Sequence, residues 1–285
     1  MERLFAEEVL GAVETALAED VGSGDVTTLA TVPESRQARA QIVARESLVT
    51  AGLVLAETTL LRISAAIHIE RLTRDGQRAA PGEALLRIRG PARAILTAER
   101  VALNYLQRLC GIATLTAQFV QAVQGMPVQI LDTRKTTPGL RRLEKYAVAC
   151  GGGSNHRFGL FDMVLIKDNH LAALCDEQPN PIAAAVRRAR EKYPELKVEV
   201  EADTLVQVEQ ALHAGADIIL LDNMNLDQLR RAVECVRGKA RTEASGGVTL
   251  ATVRGIAETG VDAISVGALT HSARAVDIAL DFERP

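Results

Sequence analysis

The 285-residue sequence has no tryptophan and holds just five phenylalanines and three tyrosines. So few flat rings cannot build the stacking platforms that hold single-stranded nucleic acids. It also lacks a basic excess: 33 Lys and Arg stand against 36 Asp and Glu, for a formal charge of −3. With a pI near 6.0, the electrostatic footprint of a nucleic-acid-binding protein is missing. Four cysteines, Cys110, Cys150, Cys175 and Cys235, form no C-x-x-C pair, which sets aside zinc ribbons and dithiol redox motifs and leads us to expect a reduced, cytoplasmic protein. The longest apolar runs are of the ADIILL kind, far short of the roughly 18 residues that a membrane span needs. The opening MERLFAEEVL places three acids inside its apolar pattern, unlike a secretory leader. No membrane and no nucleic acid are expected as partners.

What the sequence does hold is 47% hydrophobic and 24% charged residues, enough for a sizeable core and, at this length, two domains. Residues 2–19 place Leu4, Val9, Leu10, Val13 and Leu17 at helical spacing, and Asp20 with the following GSGD ends that helix. Short alternating runs with DG and PG turns follow, RQARAQIVARESLV and IHIERLTRDGQRAAPGEALLRIRGP, with a helical LVLAETTLLRI between them. They predict a small sheet domain. From Ile95 the pattern turns helical, and the domain boundary is placed near 115.

Beyond the boundary, apolar strands alternate with helices: VQIL (128–131), MVLIK (163–167), KVEVE (197–201), DIILL (217–221), ARTEA (240–244) and DAISV (262–266). Such repetition indicates a parallel sheet covered on both faces. A β/α barrel is favoured over a doubly wound sheet because nearly every strand runs straight into a polar or glycine-bearing cluster, as in DTRKTTPG, KDNH, LDNMN, ASGG and SVGALTHS. Barrel enzymes gather their sites at that one mouth, whereas a doubly wound sheet concentrates ligand groups at its switch point.

Three groups at the expected mouth carry chemistry. Arg134, Lys135, His156, Arg157 and Lys167 form a cationic set in a protein of net negative charge, suited to a polyanion because Arg offers a planar fork and Lys a point charge. A solvated charge run is the plainer account, but these charges sit in Gly- and Thr-rich loops after strands and not along helix faces. Glu201 and Asp222 end consecutive strands one βα unit apart, which suits Mg²⁺ or ribose hydroxyls; either alone would be read as a helix cap. The glycines of SGG (245–247) and VGAL (266–269) precede helices, where backbone N–H groups bind phosphate. His68 and His213 read as structural, His170 and His271 as supporting residues at the mouth, and Cys110 and Cys150 as small buried hydrophobes.

In this order, ILDTRKTTPGLR, GGGSNHRFGLFDMVLIKDNH, KVEVE, ILLDNM, EASGGV and ISVGALTHS resemble the quinolinate phosphoribosyltransferases, also called nicotinate-nucleotide pyrophosphorylases (carboxylating). The GDVTT segment (24–28) and the long PGEALLRIRGPARAILTAERVALNYLQRLCGIAT region extend the likeness over most of the chain. The resemblance implies an incomplete parallel β/α barrel over 116–272 and an N-terminal α+β open sandwich over 1–115, with a C-terminal helix over 273–285 packing back on the sandwich. It implies transfer of phosphoribose from phosphoribosyl pyrophosphate to quinolinate with loss of CO₂, giving nicotinate mononucleotide and pyrophosphate in NAD biosynthesis. By the same likeness, quinolinate falls to Arg134, His156, Arg157 and Lys167 with Lys135 nearby. Lys135, Lys167, Glu201 and Asp222 take catalytic roles, and Glu201 and Asp222 also serve ribose and Mg²⁺. The phosphates fall to Ser245, Gly246, Gly247, Val266, Gly267 and Ala268. Arg100, in ERVALN, would reach the neighbouring site of a homodimer. One departure is Cys110, where the family pattern has serine. The alternatives are a pyrophosphorylase of the same fold with another acceptor, or a barrel that senses anions without turning them over.

Overall fold

The computed structural model describes residues 4–283. Residues 2 and 3 of the expected first helix and residues 284 and 285 of the expected last one lie outside that range. The described chain forms two compact units, one of residues 4–117, 136–152 and 269–283, the other of residues 118–135 and 153–268. Among the described residues, no helix is long and apolar enough to cross a membrane.

The first unit begins with α1 (Ala6–Val21) and α2 (Val26–Thr31). The GDVTT segment thus opens a short helix: the Asp25 carboxylate accepts the Thr28 N–H at 3.0 Å, an N-cap contact, and the Thr28 side chain, first, and that N–H, second, hold the Asp25 carboxyl below its ordinary value. Next come β1 (Gln37–Ala44), β2 (Leu48–Val49), α3 (Leu53–Ile63), β3 (His68–Arg71), β4 (Arg78–Ala79), β5 (Ala84–Pro91) and the 31-residue α4 (Ala92–Ala122). Strands β2 and β4 pair as a small ribbon. On α4, Ile95, Ala98, Ala102, Leu106 and Cys110 recur every three or four residues, and all are buried in one cluster with Ala40 and Ile42 of β1, Leu86 and Ile88 of β5, and Leu53, Ala56 and Leu60 of α3. The alternate residues Arg39, Arg87, Arg89 and His68 are exposed, so one face of the sheet is covered and the other open.

The second unit alternates strand and helix: β6 (Gln129–Leu131), β7 (Val164–Ile166), α6 (Asp168–Ala172), α7 (Pro181–Lys192), β8 (Val198–Ala202), α8 (Leu205–Ala214), β9 (Ile218–Asp222), α9 (Leu226–Val236), β10 (Arg241–Ser245), α10 (Val253–Ala257) and β11 (Ala263–Ser265). Between β6 and β7 the chain makes α5 (Arg141–Cys150), which belongs to the first unit. This differs from the unbroken 116–272 of the sequence reading. The reason is close packing within the first unit: a Cβ at Gly151, just past α5, would meet the Ala113 carbonyl oxygen at 2.4 Å. The buried Glu144 of α5 also accepts from Arg108 of α4 at 2.7 Å.

The six strands of the second unit run parallel in the order β6-β11-β10-β9-β8-β7. First and last strands in sequence, β6 and β11, are neighbours, as in a closing barrel. Between β6 and β7 the ring is continued only by an isolated parallel bridge from Leu131 to Ser154, so the barrel is incomplete.

The chain ends with α11 (Ala268–His271) and β12 (Ile278–Phe282). The helix expected over 273–285 is therefore corrected: its central part is a strand, antiparallel to β1 and extending the open sheet. Val276, Ile278 and Leu280 alternate, and all three join the first unit's apolar cluster, a period of two that a helix cannot satisfy.

Candidate active site

Alternation along the barrel strands decides which side chains face inward. On β8 Val198, Val200 and Ala202 are buried on one side, which leaves Glu199 and Glu201 on the other. On β9 the inward set ends with Leu220 and Asp222, on β10 with Glu243 and Ser245, and on β11 with Ser265. Of these, Glu201, Leu220, Asp222, Glu243, Ser245 and Ser265 line a cleft of about 570 Å³ at the C-terminal ends of the strands, together with Thr133, Arg134, Lys135, His156, Arg157, Leu165, Lys167, Asn223, Gly246 and Gly247. Every lining residue belongs to the second unit.

The cationic wall is held by a strand-like segment. Ser154 N–H donates to Ile130 O at 2.8 Å and Asp132 N–H to Ser154 O at 3.1 Å, which stitches residues 153–157 beside β6. The fully buried Asp132 then accepts His156 N–H at 2.8 Å and Asn155 Nδ2 at 2.6 Å. Arg157 donates through Nη1 to Met163 O at 3.1 Å. Burial, first, and the charge of Arg134, second, pull the Arg157 pKa down, as expected where two guanidinium groups converge to receive anions. The Asp162 carboxylate accepts the N–H groups of Phe158 and Gly159 at 2.6 and 2.9 Å, which fixes the turn after Arg157.

Across the cleft, Lys167 Nζ lies 2.5 Å from Glu201 Oε2. Burial and the charge of Glu201 push the Asp222 carboxyl up, although Asn223 Nδ2 donates to Asp222 Oδ2 at 2.6 Å. Two oxygen-donor carboxylates that repel one another fit a hard divalent cation, which would relieve that repulsion. Asn223 stands at φ 52° and donates its N–H to Ser245 O at 2.9 Å, linking the Asp222 corner to the glycine turn. Gly246 needs its missing side chain there: a Cβ would meet Asn223 Oδ1 at 2.2 Å, and φ is +95°.

The phosphate-loop expectation changes in form. Helix α10 starts at Val253, well after Gly247, and α11 has four residues, so neither supplies the helix terminus that was expected. Gly246 and Gly247 instead take successive positive φ values, 95° and 59°, a turn that leaves this stretch of backbone bare of side chains at the cleft wall. Val266 is buried and donates its N–H to Leu131 O at 2.9 Å; the β11 residue on the cleft wall is Ser265, ahead of Val266, Gly267 and Ala268. Arg100 is exposed on α4 in the first unit. His170 accepts Lys167 N–H at 2.9 Å through Nδ1, and His271 contacts Ser272 Oγ at 2.7 Å. His68 and His213, read as structural, lie outside the cleft and are exposed. Burial pushes the Cys110 and Cys150 thiols up to about 12, which removes both as nucleophiles.

The sequence reading missed three functional-site carboxylates: Asp132, Glu199 and Glu243, of which Asp132 and Glu199 are fully buried and Glu243 nearly so. The signal was present for the last two. In KVEVE and RTEAS an acid stands two residues before the residue that ends the run, and period two puts both on the inward face of their strands.

Residues 112–281 match the family model of the quinolinate phosphoribosyl transferase C-terminal domain, and residues 25–110 match that of its N-terminal domain. The chain is 42% identical to the probable nicotinate-nucleotide pyrophosphorylase (carboxylating) of Bacillus subtilis, over 92% of this chain and 89% of that one. It is also 42% identical to the chloroplastic nicotinate-nucleotide pyrophosphorylase (carboxylating) of Arabidopsis thaliana, over 95% and 82% of the two chains. The solved nicotinate-nucleotide pyrophosphorylase of Francisella tularensis superposes with a TM-score of 0.93 at 38% identity, over 99% of this chain and 98% of that one.

Proposed function

Because the chain belongs to the quinolinate phosphoribosyltransferase family, we propose that the cleft of the second unit is where it transfers phosphoribose from phosphoribosyl pyrophosphate to quinolinate, releasing pyrophosphate and CO₂ and leaving nicotinate mononucleotide for NAD biosynthesis. One observation carries the assignment: the Arg134, Lys135, Arg157 and Lys167 side chains, His156, two strand-end acids and a glycine turn share a single cleft. Quinolinate brings two adjacent carboxylates, and Arg134, His156 and Arg157 on one wall with Lys167 opposite are the groups to receive them. Lys135, exposed at the rim, serves the pyrophosphate. Ser245, Gly246 and Gly247 receive the ribose phosphate through their backbone N–H groups.

Glu201 and Asp222 would hold Mg²⁺, which when bound supplies positive charge to the departing pyrophosphate. The protein's own part is positioning and charge. The cationic wall orients the pyridine ring with its nitrogen toward ribose C1. As the C1–O bond to pyrophosphate breaks, C1 gains oxocarbenium character, and the carboxylates of Glu201 and Asp222 stabilise the positive charge from the ribose side. The nitrogen lone pair then closes the N–C1 bond. Its new positive charge stabilises the electron pair left at the adjacent ring carbon when that carboxylate departs as CO₂, and a proton completes the ring. No covalent enzyme intermediate is required. We also assign the active form to a homodimer in which Arg100 serves the partner's site. The four free cysteines fit a reducing compartment such as the cytoplasm.

The test is product formation by purified protein from phosphoribosyl pyrophosphate and Mg²⁺ with quinolinate or nicotinate. Nicotinate mononucleotide and CO₂ from quinolinate alone are expected. Arg134→Ala should cost about 2 kcal/mol of binding, seen as a rise in KM for quinolinate. Equal turnover of nicotinate would reassign the acceptor, and an unchanged KM in Arg134→Ala would remove that residue from the pocket.

A further inference from the structure

At and beneath the cleft floor the barrel interior holds charge for which the reaction above has no use. Glu199 on β8 and Glu243 on β10 are 0% and 2% exposed. Apart from the approach of His156, both carboxylate oxygens of Glu199 and Oε1 of Glu243 have no hydrogen-bond partner among the described residues. The His156 ring stands between the two acids, its Nε2 3.1 Å from Glu199 Oε2 and 3.5 Å from Glu243 Oε1.

The ring's proton can be placed. Arg157 N–H donates to His156 Nδ1 at 2.8 Å, so Nδ1 keeps its lone pair and the proton of the neutral ring lies on Nε2, facing the two acids. That arrangement also answers the reading of this trio as a metal site. Its ligand atoms lie within 4.8 Å of one another, but the nitrogen among them carries a proton where a ligand needs a lone pair. Two carboxylates in a dry interior are costly unless they serve a cation or a donor. Burial, first, and the charge of Glu199, second, push the Glu243 carboxyl up, while His156 opposes them. Glu199 in turn favours the charged form of Arg157, against burial and the repulsion of Arg134. The acids are thus tied to the two residues that form the acceptor end of the cleft.

We propose that Glu199 and Glu243 are positioning residues for the acceptor's carboxylates: they hold the His156 ring by its Nε2–H, and the ring through Nδ1 holds the backbone of Arg157, so the Arg157 guanidinium, beside Arg134, meets a dianion in one fixed arrangement. Glu199 does not line the cleft, and Glu243 lines it with an almost fully buried side chain. The proposal rests on the placing of quinolinate at Arg134, His156 and Arg157 made above.

Kinetics with both substrates test it. Glu243→Ala is expected to raise KM for quinolinate about tenfold while kcat and KM for phosphoribosyl pyrophosphate stay within about threefold. Glu243→Gln keeps a carbonyl to accept Nε2–H and should recover most of that loss, which a space-filling role alone would not distinguish from other packing variants. Equal rises in both KM values, a loss confined to kcat, or no advantage of Gln over Ala overturns the proposal. His156→Ala separates the two layers of the argument. An unchanged quinolinate KM in His156→Ala removes the acceptor from this end of the cleft, and the proposal falls with it. A raised KM in His156→Ala that rises again by the full factor on adding Glu243→Ala leaves the acceptor in place and overturns positioning through His156. If Glu243→Ala fails to fold, Glu243→Leu, which fills the space but accepts no hydrogen bond, makes the same comparison alone and on His156→Ala, with the same deciding outcomes.

Discussion

The two units bury opposite kinds of side chain at their centres. In the first, Ile42, Leu60, Leu86, Ile88, Ile95 and Leu106 fill the space between the sheet and two helices, and the cysteine among them, Cys110, has its thiol pushed up to about 12 by burial. In the second, the same strand geometry turns Glu199 and Glu243 toward a barrel interior that also holds His156. A buried apolar side chain stabilises the fold by roughly 1.5 to 3 kcal/mol, whereas buried acids are a poor source of stability and are kept where they orient something. One unit is therefore expected to fail by losing its packing, the other by losing its substrate while staying folded.

The first unit breaks most sharply at Gly111. A Cβ there would meet the carbonyl oxygen of Arg274 at 2.0 Å, and the lead-in to β12 cannot retreat without giving up Val276 N–H to Gln107 O at 3.1 Å. Backbone stands on both sides of the clash. Gly111→Ala is expected to destabilise by about 3 kcal/mol, lowering Tm by several degrees in a thermal melt, with the activity of the molecules that remain folded unchanged. An unaltered Tm would mean that the end segment does not lean on α4 as the structure has it.

A smaller effect, confined to the second unit, concerns Mg²⁺. The Asp222 carboxyl is pushed up by burial and by Glu201. For a carboxyl whose folded pKa lies above its unfolded value, the sign is that stability falls as pH rises from the unfolded value through the folded one. A divalent cation held by the two acids reverses that cost at neutral pH. Mg²⁺ is accordingly expected to raise Tm by about 2 °C, for roughly 1 kcal/mol of binding linkage, and to do less as acid protonates Asp222. Asp222→Asn should abolish the gain. A gain that survives both Asp222→Asn and Glu201→Gln would place the cation elsewhere.

The same contrast explains what the sequence let us see. The barrel strands were legible because VQIL, MVLIK, KVEVE, DIILL, ARTEA and DAISV are short apolar runs between helical patterns, and each strand falls within a residue or two of its run. Their polar ends were legible for the same reason, since Arg134, Lys167, Glu201, Asp222 and Gly246 each follow or end a strand and all line the cleft. Glu199 and Glu243 went unread because an acid inside a strand looks like a solvent-facing residue until both faces of the sheet are known to be covered. Strand β12 was misread because its Ile-Ala-Leu run is too short to distinguish period two from helical spacing, and its partner β1 lies more than two hundred residues away. The membership of α5 in the first unit was not legible, because close contact between Gly151 and Ala113 leaves no local pattern.

The least effect is expected at the exposed edge of the first unit, where Glu46 joins β1 to the segment before β12. Its carboxylate accepts Asp277 N–H at 2.8 Å and pairs with the Arg274 guanidinium. The Arg274 hydrogen bond, first, and the Asp277 N–H, second, lower its pKa from 4.5 to about 2. For a carboxyl lowered in the folded state, the contribution to stability is complete above the unfolded value and is lost as pH falls toward the folded one, here between about 4.5 and 2. Solvent screens the pair, and surface pairs contribute little. Glu46→Gln should therefore lower Tm slightly at neutral pH, and the difference from the wild-type protein should close as pH falls through that window. A difference that persists unchanged at the acid end would assign the effect of Glu46 to the geometry of its contacts and not to its charge. In that case the tie between β1 and the last strand would depend on geometry alone, as the apolar centre of the same unit does.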